Sequence, residues 1–396
     1  MTRQRRLCMV VHAPYPKAET RVEREAHAAL EAGWDVDVVA LREPGEPATE
    51  VTARGIRIYR LPTVRTRGGG ASTVLREYVG FTLQALLKVA VLHRRRRYAV
   101  VQIHNPPDFL VLAGFLPKLM GARLVLDIHD LAPEMFEMRF AGRRWSGLAT
   151  RVLRRVERLA LGTADAVVTV HEPYRRLLLQ RGVPPDKLTV ALNTPEERLI
   201  PDEAPAADPA VLRIVYHGTI TPHYGLDVLV EAFSAVAAEL PEATVEIYGA
   251  GDALPGVKNQ VARLGLADRF WFSDRFLDND EVLLRVRGAS IGVISNLPIP
   301  RNQAALPTKL FEYAALGIPI VSSRLDAIAE YFDETEIAYF DAGDPRSLGR
   351  ALLQTARDPE TASVRARRAR GRYESYRWGV SSAEYLALLE RLLRRR

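Results

Sequence analysis

The sequence contains a single cysteine, Cys8, within an apolar segment of its 396 residues. One cysteine cannot form an internal disulfide or a thiolate zinc cluster, so we expect a protein of the reducing cytoplasm. No uninterrupted apolar run of about 18 residues is present, which predicts that no helix spans a membrane. The N-terminal residues also lack the apolar core and cleavage site of a secretory signal.

Motifs of several other protein classes are missing as well. The loop "HAPYPKAET" (12–20) after the first apolar segment has no GxGxxG, which argues against a dinucleotide-dependent dehydrogenase. No HExxH or paired-carboxylate motif accompanies the "HD" of His129 and Asp130, which disfavours a metal-dependent phosphohydrolase. There is no zinc-finger spacing or aromatic RNA-binding signature, so nucleic acid is not an expected partner.

Basic residues are plentiful and clustered. The formal net charge is +7, and dense segments include "HRRRRY" (93–98) and "RVLRRVER" (151–158). Such segments are most often a solvated surface, but they also suit the anionic headgroups of a membrane. The sequence leaves both interpretations open, the second being peripheral attachment at the inner face of the plasma membrane.

Apolar strands and helices alternate in two series, separated by a Pro/Ala/Asp-rich segment at 193–209. Near-continuous apolar strands joined by helices are typical of parallel sheets covered on both faces. We therefore predict an α/β protein with two doubly wound, Rossmann-like domains facing a cleft. The N-terminal domain would span 1–197 and the C-terminal domain 198–376, while the last helix, 377–396, suits either one.

The first long helix, "TRVEREAHAALEAG" (20–33), shows a capping-box pattern from Thr20 to Glu23. Ligands bind beyond the carboxyl ends of the strands in such sheets. Five histidines lie at predicted strand ends: His12, His104, His129, His171 and His217. Any one of them is often structural, but together they indicate a functional rim.

The second series contains glycine turns typical of phosphate sites. In "YHGTITPHYGLDVLVEAF" (216–233), Gly218 permits close approach of a ligand and Gly225 opens a helix. In "IYGAGD" (247–252), Gly249 follows another apolar strand, which alone is a weak signal.

The segment "LPTKLFEYAALG" (306–317) predicts a helix that begins at Pro307 or Thr308 and ends at Gly317. A helix N-terminus attracts anions, so Lys309 in the first turn has the wrong sign. Lys309 and Glu312 share a helix face, and one explanation is an exposed ion pair. The other is a bound diphosphate, held by Lys309, the Thr308 hydroxyl and nearby amides.

These segments, with "QIHNPPDFLV" (102–111) and "LDIHDLAPE" (126–134), resemble the family 4 glycosyltransferases of the GT-B fold. The resemblance implies a retaining hexosyltransferase that needs no metal and no cofactor. Its donor would be a UDP- or GDP-sugar, and its acceptor a sugar, a lipid-linked or a small-molecule hydroxyl. The N-terminal domain would hold the acceptor and the C-terminal domain the donor, with helix 377–396 packing back on the N-terminal domain.

The resemblance also assigns roles. Glu312 matches the second glutamate of the family's glutamate pair and is expected at the ribose, whereas Ala304 occupies the first position. Thr219 and Tyr224 stand where a basic pair usually binds the diphosphate, so Lys309 is the expected substitute. His129 is expected at the donor sugar.

We expect three catalytic residues: His129, Asp130 and Lys309. The donor side is predicted to comprise Gly218, Thr219, Tyr224, Gly249, Arg275, Phe276, Thr308, Lys309 and Glu312. The acceptor side is predicted to comprise Tyr15, Arg21, His104, Asn105 and Asp108. Because the usual residues are missing at three positions, two alternatives stay open: a nucleotide-sugar-binding protein without transfer activity, and another GT-B enzyme such as an epimerase or phosphorylase.

Overall fold

The computed structural model describes residues 4–16, 19–63, 70–140, 143, 145–201 and 211–394. The chain divides into two compact units, Met1–Asn193 with Gly379–Arg396, and Thr194–Trp378. The break after Asn193 lies slightly before the expected boundary. Within the described ranges, no helix combines the length and apolarity needed to cross a bilayer.

The first unit is built on an eight-stranded sheet. Its strands are β1 (Arg6–Pro14), β2 (Asp35–Leu41), β3 (Thr49–Val51), β4 (Arg57–Leu61), β5 (Val100–His104), β6 (Arg123–Ile128), β7 (Ala166–Thr169) and β8 (Leu188–Val190). Its helices are α1 (Thr20–Glu31), α2 (Ala71–Arg96), α3 (Phe115–Leu119), α4 (Ala132–Arg139), α5 (Ser146–Thr163) and α6 (Glu172–Gln180), with a 3-10 helix at Asp108–Gly114. The order is β3-β4-β2-β1-β5-β6-β7-β8, parallel except for the β3–β4 pair.

The central strands are buried on both faces, as their apolar runs predict. Every residue of β1 from Leu7 to Pro14 is buried. The predicted capping box is wrong, because Thr20 is already helical and Glu19 takes the N-cap position without a side-chain hydrogen bond. The short strands β3 and β4 have no apolar run and were not predicted.

The second unit has a six-stranded, fully parallel sheet in the order β11-β10-β9-β12-β13-β14. Its strands are β9 (Leu212–His217), β10 (Ala243–Tyr248), β11 (Phe270–Phe272), β12 (Ile291–Ile294), β13 (Ile320–Ser323) and β14 (Ala338–Phe340). Its helices are α7 (Leu226–Val236), α8 (Leu254–Arg263), α9 (Asn279–Val286), α10 (Pro300–Ala304), α11 (Thr308–Leu316), α12 (Asp326–Ala329), α13 (Pro345–Arg357) and α14 (Pro359–Tyr373). Two Rossmann-like units of this kind confirm the predicted fold class.

The last helix, α15 (Trp378–Arg394), joins the core of the first unit through Tyr385, Leu388, Leu389 and Leu392. Burying four such side chains stabilises this contact by several kcal/mol, at about 1.5–3 kcal/mol each. The Tyr385 hydroxyl also donates to Gln102 Oε1 of β5 at 2.7 Å. A polar side chain of the sheet is thus bonded to the end of the chain.

Candidate active site

The first unit brings two histidines and a carboxylate together where β5 and β6 end. His104 and Asp127 are partners in the parallel ladder, and His129 follows β6. Asp127 Oδ2 lies 3.1 Å from His104 Nδ1 and 3.2 Å from His129 Nε2. The two ring nitrogens are 3.0 Å apart. We call these three residues the histidine cluster.

Arg21 anchors the histidine cluster from below. Its guanidinium donates to Asp127 Oδ2 at 3.1 Å and to Asp127 Oδ1 at 3.0 Å, and it lies 3.0 Å from Glu25. Arg21 is only 3% exposed and is bonded inside the unit, and its place on the acceptor side stays a prediction. Tyr15, the other residue expected there from this part of the chain, is likewise buried in the core.

Charges in this network are distributed unequally. Burial raises the pKa of Glu25 although the charge of Arg21 opposes the shift, which favours the neutral form of this carboxyl. Burial alone would raise the pKa of Asp127, but Arg21 and His129 hold it well below its usual range. The buried ion pair is therefore Arg21 with Asp127.

The two histidines also differ in charge. Burial lowers the pKa of His104 to about 4 despite its bond to Asp127. Burial would lower the pKa of His129 too, but Asp127 and Glu19 outweigh it and the net shift is upward. His129 is also the more exposed of the two side chains. The upward shift favours the protonated imidazole of His129, which can donate to an oxygen of a ligand.

Asn105 fixes the loop that carries His129 and Asp130. Its Oδ1 accepts from the amides of His129 at 2.7 Å and Asp130 at 3.3 Å. Its Nδ2 donates to Asp108 Oδ1 at 2.8 Å and to the Asp130 carbonyl at 2.7 Å. Asn105 is therefore bonded directly to the backbone of His129, and Asp108 is connected to it through Asn105; both were predicted on the acceptor side.

The other histidines of this unit do not share the rim. His12 lies inside β1, where its ring packs against Tyr78 and Phe81. His171 caps α6, because its Nδ1 accepts from the amide of Tyr174 at 3.3 Å. The predicted rim of strand-end histidines is thus wrong for these two, since β1 runs on to Pro14 and His171 serves its own helix.

In the second unit, Lys309 is carried by α11, and its ammonium lies beside the end of β9. Its Nζ is 3.6 Å from the ring centroid of Tyr216 and 5.5 Å from that of Tyr224. A methyl group added at Gly218 would come within 3.4 Å of this Nζ, so the ammonium lies against the glycine turn. Lys309 is 8% exposed, which rules out the exposed ion pair. Burial lowers the pKa of Lys309 to about 7, although Glu312 opposes the shift.

Glu312 lies one helical turn further along α11 and is also buried. Its Oε2 is 3.3 Å from His217 Nε2 at the end of β9. Burial, together with the charge of Lys309, lowers the pKa of His217 to about 3, so this imidazole is neutral. Lys309, Glu312 and His217 therefore form a second polar group at a strand end, here called the lysine cluster.

The glycine turns are packed against each other. Gly249 has φ 154°, and a Cβ there would lie 1.9 Å from the carbonyl oxygen of Gly218. Only glycine fits this contact.

At the start of α11, one of the backbone amides expected to bind a diphosphate is already bonded. The amide of Leu310 donates to the Pro307 carbonyl at 3.1 Å. Thr308, the first residue of α11, and Thr219, which follows Gly218, are both exposed.

Two residues predicted on the donor side, Arg275 and Phe276, make no contact with Lys309 among the described interactions. Arg275 is bonded to Glu281 at 3.0 Å, and Phe276 is 57% exposed.

Two residues of the clusters and their surroundings, Asp127 and Tyr216, were not predicted from the sequence. A buried acidic residue inside the apolar run "LVLDI" (124–128) is the signal that could have identified Asp127, since such a charge needs a partner.

Two α/β units built on parallel sheets, with polar clusters at their strand ends, have the architecture of the GT-B fold. Residues 18–194 match the family described as "Glycosyl transferase 4-like domain", and residues 212–358 match "Glycosyl transferases group 1". The chain therefore belongs to family 4 of the glycosyltransferases, enzymes that transfer sugars.

Curated relatives include sugar transferases with different acceptors. The chain is 24% identical over 392 residues to the 2-deoxystreptamine glucosyltransferase of Streptomyces kanamyceticus, covering 93% of this chain and 97% of that protein. It is 24% identical over 375 residues to the phosphatidyl-myo-inositol mannosyltransferase of Propionibacterium freudenreichii, covering 90% and 87%. It is 22% identical over 371 residues to the chitobiosyldiphosphodolichol beta-mannosyltransferase of Candida glabrata, covering 85% and 80%.

Similar solved structures support the fold. Sucrose-phosphate synthase from Thermosynechococcus elongatus has a TM-score of 0.78 at 17% identity, with 98% of this chain and 99% of that chain covered. Anabaena HepE in complex with UDP and glucose has a TM-score of 0.71 at 12% identity, with 98% and 100% covered.

Proposed function

We propose that this enzyme moves a hexose-type sugar from a nucleoside-diphosphate sugar to an acceptor hydroxyl, with retention of configuration. The observation that carries the proposal is the buried Lys309 ammonium against the Gly218 turn. A lysine buried in this way costs free energy unless an anion meets it. A diphosphate at the turn would bond to the ammonium, to the exposed Thr308 hydroxyl and to backbone amides.

Named ligands of similar proteins support a nucleotide donor. Anabaena HepE is described with UDP and with UDP-glucose, and Staphylococcus aureus TarM with UDP. The relatives' names specify mannosyl and glucosyl transfer, which supports a hexose. We keep both UDP and GDP as candidate carriers, with Glu312 assigned to the ribose hydroxyls.

The chemistry would depend on charge at the leaving group. As the bond from sugar to phosphate breaks, negative charge grows on the diphosphate, and prepositioned donors stabilise it. Lys309 supplies a proton-bearing nitrogen there. The acceptor hydroxyl would attack from the same face as the leaving phosphate, which takes its proton. His129 would bond the donor sugar, and Asp130 would have a secondary role.

We propose that no metal ion takes part. The ligand atoms of His104, Asp127 and His129 lie within 4.8 Å of one another, close enough for a metal. Both Asp127 oxygens, however, already accept from Arg21, and this guanidinium would repel a divalent ion beside it. The arrangement therefore suits hydrogen bonding by the two histidines better than metal binding.

A direct test combines binding and turnover. Nucleoside diphosphates are screened by thermal shift, where 100-fold excess over Kd stabilises the folded state by about 2.7 kcal/mol. The matching UDP- and GDP-hexoses are then assayed for slow hydrolysis and for transfer, with and without EDTA. The anomeric configuration of the product is determined by NMR. Binding without any turnover would favour the alternative of a nucleotide-sugar-binding protein without transfer activity.

The His129→Ala variant is expected to lower donor turnover at least tenfold, about 1.4 kcal/mol in activation free energy. The reason is that the His129 ring is assigned to the sugar, so nucleotide affinity should hardly change. His171→Asn is the matched control, because asparagine retains the helix cap. A variant with full turnover but weakened nucleotide binding would contradict the assignment.

We further propose that the enzyme attaches peripherally to anionic membranes. Apolar side chains recur every four residues along α2 and are 42–66% exposed: Leu75, Val79, Leu83, Leu87 and Val91. Arg94, Arg95 and Arg97 follow them and are exposed. Arg96 is excluded from this surface, because it pairs with Asp37 at 3.2 Å.

The expected result is co-sedimentation with vesicles containing phosphatidylglycerol at low salt, since each basic contact adds about 1 kcal/mol. Replacing both Leu83 and Leu87 by glutamate should abolish it. The control is Leu284→Glu, at a residue of α9 that is 62% exposed. Equal binding to neutral and anionic vesicles would count against the proposal.

A further inference from the structure

An apolar pocket of about 170 Å³ lies in the first unit, next to the end of β5. Its walls come from α2, α4, α5 and the segment after β5, and include Val74, Tyr78, Phe109, Met135, Leu153 and Val156. Among the described residues that line it, Asp108 is the one carboxylate. The pocket is therefore hydrocarbon-lined with one polar end.

That polar end adjoins the histidine cluster. Asn105 Nδ2 donates to Asp108 Oδ1 at 2.8 Å, while Asn105 Oδ1 accepts from the His129 amide at 2.7 Å. Burial raises the pKa of Asp108 to about 6, although Asn105 opposes the shift. A ligand oxygen bound to Asp108 would thus lie one side chain away from the loop of the proposed sugar-binding histidine.

Exposed apolar side chains adjoin the pocket. Leu75 lines the pocket and is 56% exposed. Phe140 also lines it, and its ring lies 5.6 Å from that of Trp145, which is 41% exposed. On α5, Leu153 and Val156 line the pocket, whereas Arg151, Arg155 and Arg158 are exposed on the opposite face of the helix. Apolar walls that continue to exposed apolar side chains are complementary to a hydrocarbon chain.

We propose that this pocket binds the hydrocarbon chain of the acceptor, a lipid whose headgroup hydroxyl lies at Asp108. A sugar or other fully polar acceptor has nothing to fill such walls. The description of this lipid as an acceptor rests on the proposed sugar transfer. Binding of the chain requires no donor and is testable by itself.

The test uses monoalkyl phosphates of four to ten carbons, below their micelle concentrations, titrated by calorimetry in the absence of donor. Each added methylene should raise affinity by up to about fourfold until the pocket is full. Leu153→Trp should fill the pocket and remove this dependence. The matched control, Leu159→Trp, lies on the same helix at a residue that is 71% exposed, and should retain it.

Met135→Trp fills the pocket from α4 and serves if Leu153→Trp fails to fold. An affinity that does not depend on chain length in the parent, or the same dependence in both filled variants, would overturn the proposal. The proposal would also be overturned if the protein formed a dimer that Leu153→Trp dissociates but alkyl phosphates do not, because a second copy of the chain would then occupy the pocket. Chain-length-dependent binding without any donor turnover would support the pocket and reject the proposed function; turnover without such binding would do the reverse.

Discussion

Replacing Arg21 with methionine is expected to destabilise the protein by about 3–5 kcal/mol, because it leaves the buried Asp127 charge without its cation. Methionine keeps much of the side-chain volume, so the loss reports on charge and hydrogen bonds more than on a cavity. Urea denaturation monitored by circular dichroism measures it. Activity should fall along with stability, since Asp127 also bonds to His129.

The control is Arg275→Met, which breaks the more exposed bond to Glu281 and should cost about 0–1 kcal/mol. The double variant Arg21→Met/Asp127→Asn should recover part of the loss, because it removes both charges. A loss below about 1 kcal/mol in the single variant would show that Asp127 is not held as an ion in the native state.

Replacing Lys309 with methionine is expected to weaken nucleoside-diphosphate binding by about 10- to 100-fold, which corresponds to about 1.5–3 kcal/mol for a charge-assisted hydrogen bond. Binding of the nucleoside alone should hardly change, because the variant removes only the cation at the phosphates. Lys258→Met, which loses an exposed lysine paired with Asp274, is the control. Unchanged diphosphate affinity would refute the role of Lys309.

The pH dependence separates this role from a structural one. Because the pKa of Lys309 is lowered to about 7, the free enzyme loses its ammonium as pH rises above 7, and diphosphate binding must restore the proton. Affinity of the parent should therefore fall above pH 7, whereas Lys309→Met should lack this component. Stability has the opposite sign: the unfolded chain binds this proton more tightly, so the contribution of Lys309 becomes more favourable as pH rises from 7.

The sequence predicted features that depend on local pattern. Continuous apolar runs identified the central strands, and Gly317 marked the end of α11 with φ 67°. The first-turn position of Lys309 led to the prediction of a bound anion, and this stays a prediction. These predictions needed only periodicity, turn chemistry and the helix dipole.

Features that depend on tertiary packing were not predictable. Nothing local to Lys309 shows that its ammonium lies on the Tyr216 ring, from a strand more than ninety residues earlier. His12 and His104 looked alike as strand-end histidines, yet only the latter has a carboxylate on the neighbouring strand. Arg21 matched a ligand-binding pattern, but its guanidinium is bonded to Asp127 inside the fold. Asp127 lies more than one hundred residues later in the sequence, so only the folded sheet brings the two together.

The bond from Tyr385 to Gln102 has a consequence for synthesis on the ribosome. Gln102 also donates to Glu25 at 2.7 Å, so the network beneath His129 includes a residue of the last helix. The other members lie before Asn193 and leave the ribosome much sooner. At about 5–20 residues per second, translation of the intervening unit takes roughly 10–40 s. During that interval the nascent first unit lacks α15, and the hydrogen-bond network beneath the histidine cluster stays incomplete until the second unit has been made.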